Sequence, residues 1–320
     1  MQEKILVVGA LGQLGTELAC ALCRRYGTDN VIAADLSDKV QHTACKTIYR
    51  QLNVLDKNVL REVIRREKIT QVYLLVAMLS ATGERQPQKG WQLNMQSLLH
   101  VLDAAVELKV KRVFWPSSIA VFGLNASRIK CPQHAVQDPG TVYGISKLSG
   151  EQWCTWYHEK HGLDVRSIRY PGLISHGKVP EGGTTDYVVE IFHHALKDNM
   201  YECYLSAQTI LPMMYMDDAV RATIELMDAP KEKIRIRTSY NLAGLSFTPQ
   251  QLGVAINQHL PGFRLKYAPD VRQQIADSWP KSVDDTQANQ DWGWKPAWDL
   301  DTMVADMLMH LKMKVDNTVV

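Results

Sequence analysis

The sequence contains no apolar stretch long enough to span a bilayer, which takes about 20 consecutive apolar residues. It also has no block of basic residues, since 36 Lys and Arg face 34 Asp and Glu, a formal net charge of +2 at pH 7. Proteins that bind nucleic acid or anionic membranes carry a clustered basic surface. The 320 residues therefore predict a soluble protein with neither nucleic acid nor a membrane as a partner.

Targeting signals and clustered metal ligands are absent as well. No charged segment, apolar core and cleavage site precede the first predicted strand at Lys4, so we expect no targeting segment. The six cysteines are scattered, as is typical of a reducing compartment, which leaves the cytoplasm and the mitochondrial matrix open. Cys20 and Cys23 form a CxxC pair, but no second Cys/His pair lies at ligand spacing. His193 and His194 would point about 100° apart on a helix, and so we expect no metal.

Short β-branched runs alternate with helical patterns in the first half of the chain. This alternation predicts βαβ units and a parallel sheet covered by helices on both faces. The fold class is α/β, a Rossmann doubly wound parallel sheet with a smaller C-terminal α/β substrate lobe. We expect the Rossmann domain over residues 1–172 plus about 206–236, and the substrate lobe over about 173–205 plus 237–320. The predicted strands are Lys4–Val8, Val31–Ala34, Gln71–Val76, Val113–Trp115, Val165–Arg169 and Thr209–Tyr215.

A glycine-rich turn follows the first strand, with Gly9, Gly12 and Gly15 separated by two residues each. In such a turn the first glycine permits a tight bend, the second lets the backbone approach a pyrophosphate, and the third lets the helix pack on the strand. Asp35 closes the second strand, 20 residues beyond Gly15. A carboxylate there accepts the ribose hydroxyls and repels a 2′-phosphate, which favours NAD over NADP. Asn53 and Val54 follow the third strand, where an adenine edge is expected.

Tyr143 and Lys147 begin the helix before the strand Val165–Arg169. Positions i and i+4 share a helix face, so the phenol and the ammonium are expected side by side. A tyrosine near pKa 10 is a poor base at neutral pH. A neighbouring ammonium and a positive nicotinamide ring are expected to lower that pKa. Ser118 follows the fifth strand, 25 residues before Tyr143, and its hydroxyl is predicted to hold the reacting alcohol oxygen.

The order of glycine turn, strand-end serine and Tyr-x-x-x-Lys resembles the extended short-chain dehydrogenases, which include sugar-nucleotide epimerases and dehydratases. Four segments resemble the short-chain-type L-threonine 3-dehydrogenases more closely: residues 115–123, 169–175, 182–187 and 211–218. The resemblance implies NAD-dependent oxidation of the β-hydroxyl of L-threonine to 2-amino-3-oxobutyrate, with Tyr143 as base, Lys147 as its electrostatic and ribose partner, and Ser118 as hydroxyl anchor. It also implies a homodimer. The family commonly has Asp where this chain has Asn53.

Two sets of residues are predicted to bind ligands, one for the substrate and one for NAD. We expect the substrate, a small amino acid, to be held by Ser118 and Tyr143, by Ser80 and Thr82 in the loop after the fourth strand, and by Thr184 and Thr185 ahead of a helix near Tyr187. The predicted NAD site comprises Gly9, Gly12, Gln13, Leu14, Gly15, Asp35, Leu36, Asn53, Val54, Leu75, Val76, Ala77, Asn94, Tyr143, Lys147, Tyr170 and Pro171.

Purely structural roles are the alternative for several of these residues. Asp35 suits an exposed strand end, and Thr184 or Asp186 suits a helix cap; Asp217 or Asp218 is expected to cap a helix ending at Met227. A sugar-nucleotide epimerase or dehydratase with tightly bound NAD is the competing function, although the segment Thr209–Tyr215 offers no arginine for a diphosphate. A non-catalytic NAD sensor is a third reading, which an intact serine, tyrosine and lysine set disfavours.

Overall fold

A seven-stranded, all-parallel sheet forms the centre of the molecule. The computed structural model describes residues 3–38, 45–178 and 183–316. The strands of this sheet are β1 Ile5–Val8, β2 Val31–Asp35, β3 Ile48–Gln51, β4 Gln71–Leu74, β5 Arg112–Ser118, β6 Asp164–Tyr170 and, numbered in chain order, β10 Tyr240–Asn241. Their spatial order is β10-β6-β5-β4-β1-β2-β3.

Helices cover both faces of this sheet and create two apolar layers. The central strands are buried along their whole length, as β1 and β4 show, because a parallel sheet with helices on both sides has no solvent-facing surface. The covering helices include α1 Gln13–Tyr26, α2 Lys57–Arg66, α3 Ser80–Arg85, α4 Pro87–Glu107, α5 Val142–His161 and, later in the chain, α7 Met216–Asp228. The predicted Rossmann fold class is confirmed.

The strand order reverses between β1 and β4, because the chain crosses from one half of the sheet to the other there. In open α/β sheets, ligands bind outside the carboxyl ends of the strands at such a switch point. The glycine turn after β1 and the loop after β4 therefore flank the expected cofactor position.

The smaller sheets lie in the second half of the chain. Strands β7 Gly172–Ile174, β9 Leu211–Tyr215 and β11 Leu245–Phe247 form a three-stranded sheet, and β8 Met200–Cys203 pairs in parallel with β12 Arg264–Tyr267. A third apolar core joins them to helices. These helices include α6 Tyr187–Asp198, α8 Pro249–His259, α9 Val271–Ser278 and α11 Leu300–Asp316, with α10 Thr286–Trp292 packing beside β10.

The division into two lobes stays a prediction, but two of its assignments disagree with the sheet pairing. Tyr240–Asn241, placed in the substrate lobe by the boundary near residue 236, pairs with β6 at the edge of the large sheet. Leu211–Tyr215, placed in the Rossmann domain, pairs with β7 and β11 in the small sheet. Such long-range pairing leaves no signal in local periodicity.

The expected cap of α7 is wrong. The helix begins at Met216 and the residue before it, Tyr215, offers no capping side chain, so Asp217 and Asp218 lie inside the first turn. Asp218 instead accepts hydrogen bonds from Arg221 and from the backbone N–H of Ala297. Among the described residues, no helix combines the length and apolar character that crossing a membrane requires.

Candidate functional site

A cleft lies at the carboxyl ends of β1, β4, β5 and β6, at the switch point of the sheet. It combines residues of the glycine turn, the loops after β4 and β5, the start of α5, and the segment ahead of α6. The described residues that line it are Gly9, Gly12, Gln13, Leu14, Gly15, Leu75, Ala77, Leu79, Ser80, Pro116, Ser117, Ser118, Ile119, Tyr143, Lys147, Tyr170, Pro171, Gly172, Leu173, Gly183, Thr184, Thr185, Asp186 and Trp279.

Two glycines of the turn cannot be replaced without a clash. Gly9 has φ +87°, a left-handed conformation that L side chains rarely adopt. A Cβ on Gly15 would lie 2.1 Å from the Gly9 carbonyl oxygen, because α1 packs directly against the turn. No side chain caps the start of α1, so its first N–H groups face the cleft with the positive end of the helix dipole. This arrangement suits a pyrophosphate.

Asp35 lies beside this turn, at the end of β2. Its carboxylate accepts hydrogen bonds from the backbone N–H of Leu11, at 2.9 Å, and of Leu36, at 2.8 Å. Asp35 is therefore more than an exposed residue at a strand end, because the Leu11 contact joins its carboxylate to the glycine turn. Asn53 forms a local turn by accepting from the Leu55 N–H. The predicted residues that do not line the described cleft are Asp35, Leu36, Asn53, Val54, Val76, Asn94 and Thr82.

Asn94 does not line the described cleft. It is 4% exposed, and its amide group exchanges two hydrogen bonds with the Met78 backbone while donating a third to the Ser146 hydroxyl. All three contacts are to protein groups. Asn94 thus holds the loop after β4 next to α5. Both of these elements contribute residues to the cleft.

Ser118, Tyr143 and Lys147 meet in the cleft, as the sequence predicts. Thr141 caps α5 through the Gly144 N–H, which places Tyr143 in the first turn and Lys147 one turn later on the same face. The Lys147 Nζ lies 5.5 Å from the Tyr143 ring centroid and donates to the Pro116 carbonyl oxygen at 2.6 Å. The Ser118 side chain lies close enough to the Tyr143 phenol to lower its pKa. One hydroxyl, one phenol and one amine therefore face a common space.

Burial shifts the pKa values of both groups of this pair. It raises the pKa of Tyr143 to about 12, and the nearby Ser118 side chain only partly opposes that effect. Burial also lowers the pKa of Lys147 to about 7, against the smaller influence of Cys154 and Glu151. Desolvation disfavours the charged form of both groups. The chain by itself does not lower the pKa of the phenol, and the lowering expected from the ammonium together with a positive nicotinamide ring stays a prediction.

Ser117, which sequence reasoning passed over, connects the cleft to a buried ion pair. Its hydroxyl donates to Glu151 at 2.6 Å, and Glu151 in turn binds Arg169 through two contacts of 2.8 and 2.7 Å. Glu151 and Arg169 are 0% and 3% exposed. The signal in the sequence was the position of Glu151, eight residues after Tyr143 in α5, because that spacing returns a side chain to the inner side of the helix.

Two segments predicted to bind the substrate, one around Ser80 and one around Thr184, meet in the cleft. Ser80 and Thr82 lie in the short helix α3, not in a loop, and the Ser80 hydroxyl is 3.1 Å from that of Thr184. Thr185 packs against Gly172, where a Cβ would lie 2.7 Å from the threonine Cβ. Asp186 accepts from the Gly183 N–H and makes no cap bond to α6. Gly182 lies outside the described residues.

Trp279, directly after α9, lines the cleft and is 5% exposed. No sequence signal pointed to it. The nearest predicted site residue along the chain is Thr185, 94 positions earlier, so only the packing of the C-terminal lobe brings the indole into the cleft.

Comparisons with known proteins agree with this arrangement. A family model described as the NAD dependent epimerase/dehydratase family matches residues 5–243. The chain belongs to this family. The mitochondrial L-threonine 3-dehydrogenase of Bos taurus is 44% identical over 308 residues, which are 96% of this chain and 82% of the bovine protein. These findings confirm the predicted resemblance.

Two solved structures are similar along nearly the whole chain. The holo form of a GalE-like L-threonine dehydrogenase from Cupriavidus necator has a TM-score of 0.94 and 56% identity, over 96% of this chain and 99% of that one. A protein described as a monomeric L-threonine 3-dehydrogenase from a metagenome database has a TM-score of 0.93 and 44% identity, over 97% and 99% of the two chains. This member of the epimerase/dehydratase family thus shares its fold along nearly the whole chain with proteins named as L-threonine dehydrogenases.

Proposed function

We propose that this protein is an NAD-dependent L-threonine 3-dehydrogenase. The observation that carries the proposal is the meeting of Ser118, Tyr143 and Lys147 with the glycine turn and Thr184–Thr185 in one cleft. The names of the relatives from Bos taurus and Cupriavidus necator support the same substrate. The product is 2-amino-3-oxobutyrate.

The residues present fit a dinucleotide. The Gly15 backbone leaves no room for a side chain between helix and turn, which keeps the α1 N–H groups accessible to a pyrophosphate. Asp35 lies against this turn with a carboxylate suited to ribose hydroxyls, and its charge disfavours NADP. NAD supplies the hydride acceptor. The nicotinamide part of NAD would be held by Leu75, Ala77, Tyr170 and Pro171.

The chain's own groups then perform the proton transfer. Ser118 would donate a hydrogen bond to the β-hydroxyl oxygen of threonine while the Tyr143 phenolate accepts the proton of that hydroxyl. Lys147, in its ammonium form, would stabilise the phenolate. Because burial raises the pKa of Tyr143 to about 12, the chain alone holds a neutral phenol at pH 7. A positive charge brought to the cleft favours the phenolate.

The cleft suits a small zwitterion better than a nucleotide sugar. Among the described lining residues, Asp186 is the one acidic side chain and Lys147 the one basic side chain. A nucleotide sugar brings a second diphosphate besides that of NAD, and arginines are the side chains best suited to bind it; among the described lining residues only Lys147 is basic. The hydroxyls of Ser80, Thr184 and Thr185, with the N-terminus of α6, would bind the threonine carboxylate.

The proposal is tested by mixing the protein with NAD and L-threonine and following the absorbance of the reduced cofactor. We expect steady NADH formation, with much less when NADP replaces NAD. An epimerase returns its hydride to the substrate, so UDP-sugars serve as the contrasting substrates. Turnover of a UDP-sugar without threonine oxidation would replace this proposal with the epimerase reading.

Thr185→Ala is expected to raise the KM for threonine or lower kcat, because a hydroxyl that orients the substrate is lost. NAD affinity should stay within about twofold, since Thr185 lies across the cleft from the glycine turn. Steady-state kinetics and calorimetric NAD binding separate the two effects. Thr155→Ala, in the second half of α5 with its hydroxyl on the Glu151 carbonyl, is the matched control. Parent-like kinetics for Thr185→Ala would remove this residue from the site.

We also propose that two copies associate through α4 and α5. These helices expose Trp91, Ile145, Trp153 and Trp156, each between 38% and 45% accessible, and contiguous exposed apolar surface of this kind marks protein interfaces. Light scattering on the purified protein gives the mass directly. A mass that corresponds to one chain would contradict the proposal. One structural relative is described as monomeric. The compartment stays a prediction.

A further inference from the structure

A cluster of three side chains outside the lining of the catalytic cleft carries metal-binding chemistry. His176 follows β7, while Asp306 and His310 lie one turn apart on α11. One ligand atom from each of the three lies within 4.8 Å of the others. The His310 Nε2 and the Asp306 Oδ1 are 3.6 Å apart. We propose that His176, Asp306 and His310 bind a divalent transition-metal ion such as Zn²⁺.

The spacing is close to what a zinc ion requires. Zinc binds imidazole nitrogen at about 2.0–2.1 Å and carboxylate oxygen at about 2.0–2.2 Å, with tetrahedral geometry, so ligand atoms lie roughly 3.3–3.5 Å apart. The imidazole rings of His176 and His310 stack with centroids 4.0 Å apart and planes 10° from parallel. Rings this close to parallel cannot both direct a nitrogen lone pair at one ion, so the partly exposed His310 ring would have to rotate by tens of degrees when the ion binds. The fourth position would hold water, as in zinc sites with three protein ligands.

One ring nitrogen of His176 has no hydrogen-bond partner among the described residues. This nitrogen, Nδ1, is buried, a state that costs free energy unless a partner is supplied. A metal ion at this nitrogen would supply the missing partner, because imidazole is a common metal ligand.

The carboxylate of Asp306 is oriented by a second contact. The buried Tyr215 hydroxyl donates to its Oδ2, and Trp298 packs edge-on against the Tyr215 ring at 4.6 Å. This contact leaves Oδ1 facing His310. Hydrogen bonds from neighbouring groups to a ligating carboxylate are a regular feature of metal sites.

Carboxylates and cationic groups both surround the cluster. Lys314 donates to the carbonyl oxygens of His176 and Gly177. Against it stand Asp217, whose pKa is raised by burial and by the carboxylates of Asp306 and Asp218, and Glu17, whose Oε1 would lie 2.3 Å from a Cβ on Gly177. The Arg24 guanidinium also acts on Asp217, so two cationic groups, Lys314 and Arg24, stand against the carboxylates of Asp306, Asp217 and Glu17.

Sequence reasoning predicted no metal because it considered only ligands close together along the chain. His176 and His310 are separated by 134 positions, and packing of α11 beside β7 brings them together. The segment carrying His176 continues to Lys178, which donates to the Leu11 carbonyl of the glycine turn. A bound ion would therefore fasten α11 to a segment that touches the cofactor turn.

The experiment uses the full chain without a histidine tag, stripped of metal with EDTA. Titration with ZnCl₂ in a calorimeter should show one ion per chain, and Co²⁺ should give the visible absorption of a low-symmetry site. Excess Mg²⁺ should not displace either ion, because Mg²⁺ prefers oxygen ligands. His310→Ala should weaken Zn²⁺ binding at least ~10-fold, and Tyr215→Phe by ~10-fold or more through the lost orientation of Asp306.

The matched control is His194→Ala, which removes a histidine that pairs with Asp198 at the same i,i+4 spacing on α6 but has no described third ligand. It should bind Zn²⁺ like the parent. Circular dichroism of each metal-free variant checks the fold, which the exposed position of His310 should preserve. Equal Zn²⁺ affinity in the parent and His310→Ala, or no binding by the parent, would overturn the proposal. Neither result depends on threonine oxidation.

Discussion

Tyr143→Phe is expected to lower kcat for threonine oxidation by ~10²–10⁴-fold, the usual contribution of a positioned acid–base group. The change keeps the ring that packs against the apolar core of the small sheets and removes only the phenol hydroxyl. NAD affinity and the unfolding temperature should therefore stay close to the parent values. Stopped-flow and steady-state measurements of NADH formation give the rate, and calorimetry gives the NAD affinity.

Tyr157→Phe is the matched control for this change. Tyr157 lies on the same helix, and its hydroxyl bonds Asp103 at 2.5 Å on the side away from the cleft. It loses the same atom and a hydrogen bond, yet kcat should change less than about twofold. Activity of Tyr143→Phe close to that of Tyr157→Phe would contradict the role of the phenol as base.

The pH profile of the parent enzyme carries a related expectation. A base must be deprotonated to act, so kcat should rise with pH until the phenolate form is complete. The chain's own groups raise the pKa of Tyr143 to about 12. A kinetic pKa well below 12 in the presence of NAD would measure how far the positive nicotinamide ring stabilises the phenolate. In Tyr143→Phe this rise should disappear.

The parts of the site that could be predicted are those that local spacing determines. The interval between Tyr143 and Lys147 is one helical turn, and it puts both side chains on one face wherever the helix lies. The glycine turn is similarly local, because a positive φ at Gly9 and the close approach at Gly15 both occur within a strand–turn–helix unit. Each of these predictions needed only a secondary-structure assignment.

The parts that could not be predicted depend on burial and on long-range packing. Desolvation, a property of the folded cleft, raises the pKa of Tyr143 in the chain by itself, so the predicted lowering depends on the positive nicotinamide ring. The hydrogen bonds of Asn94 to Met78 and Ser146 had no signal in the sequence, and its place at the cofactor stays a prediction. Trp279 reaches the cleft only because the C-terminal lobe folds over it. No pattern in the local sequence encodes these contacts.

The buried ion pair of Glu151 and Arg169 should dominate the stability of the region behind the cleft. Arg169 makes two contacts with Glu151 and two more with the Gln133 carbonyl and the Asn241 side chain. Removing one partner of a buried, hydrogen-bonded pair leaves an uncompensated charge. Glu151→Ala is therefore expected to lower the free energy of unfolding by ~3–5 kcal/mol, measured by urea denaturation at 25 °C.

Glu225→Ala is the control, since Glu225 pairs with Arg221 at 3.1 Å but both side chains are more than one-third exposed. An exposed pair contributes about 0–1 kcal/mol, so this variant should unfold almost like the parent. Combining Glu151→Leu with Arg169→Leu should cost less than the sum of the two single changes, because neither charge is then left alone. Equal losses for Glu151→Ala and Glu225→Ala would contradict a structural role for the buried pair. A kcat loss in Glu151→Ala would further show that Ser117, which donates to Glu151 beside Ser118, transmits the position of the pair to the cleft.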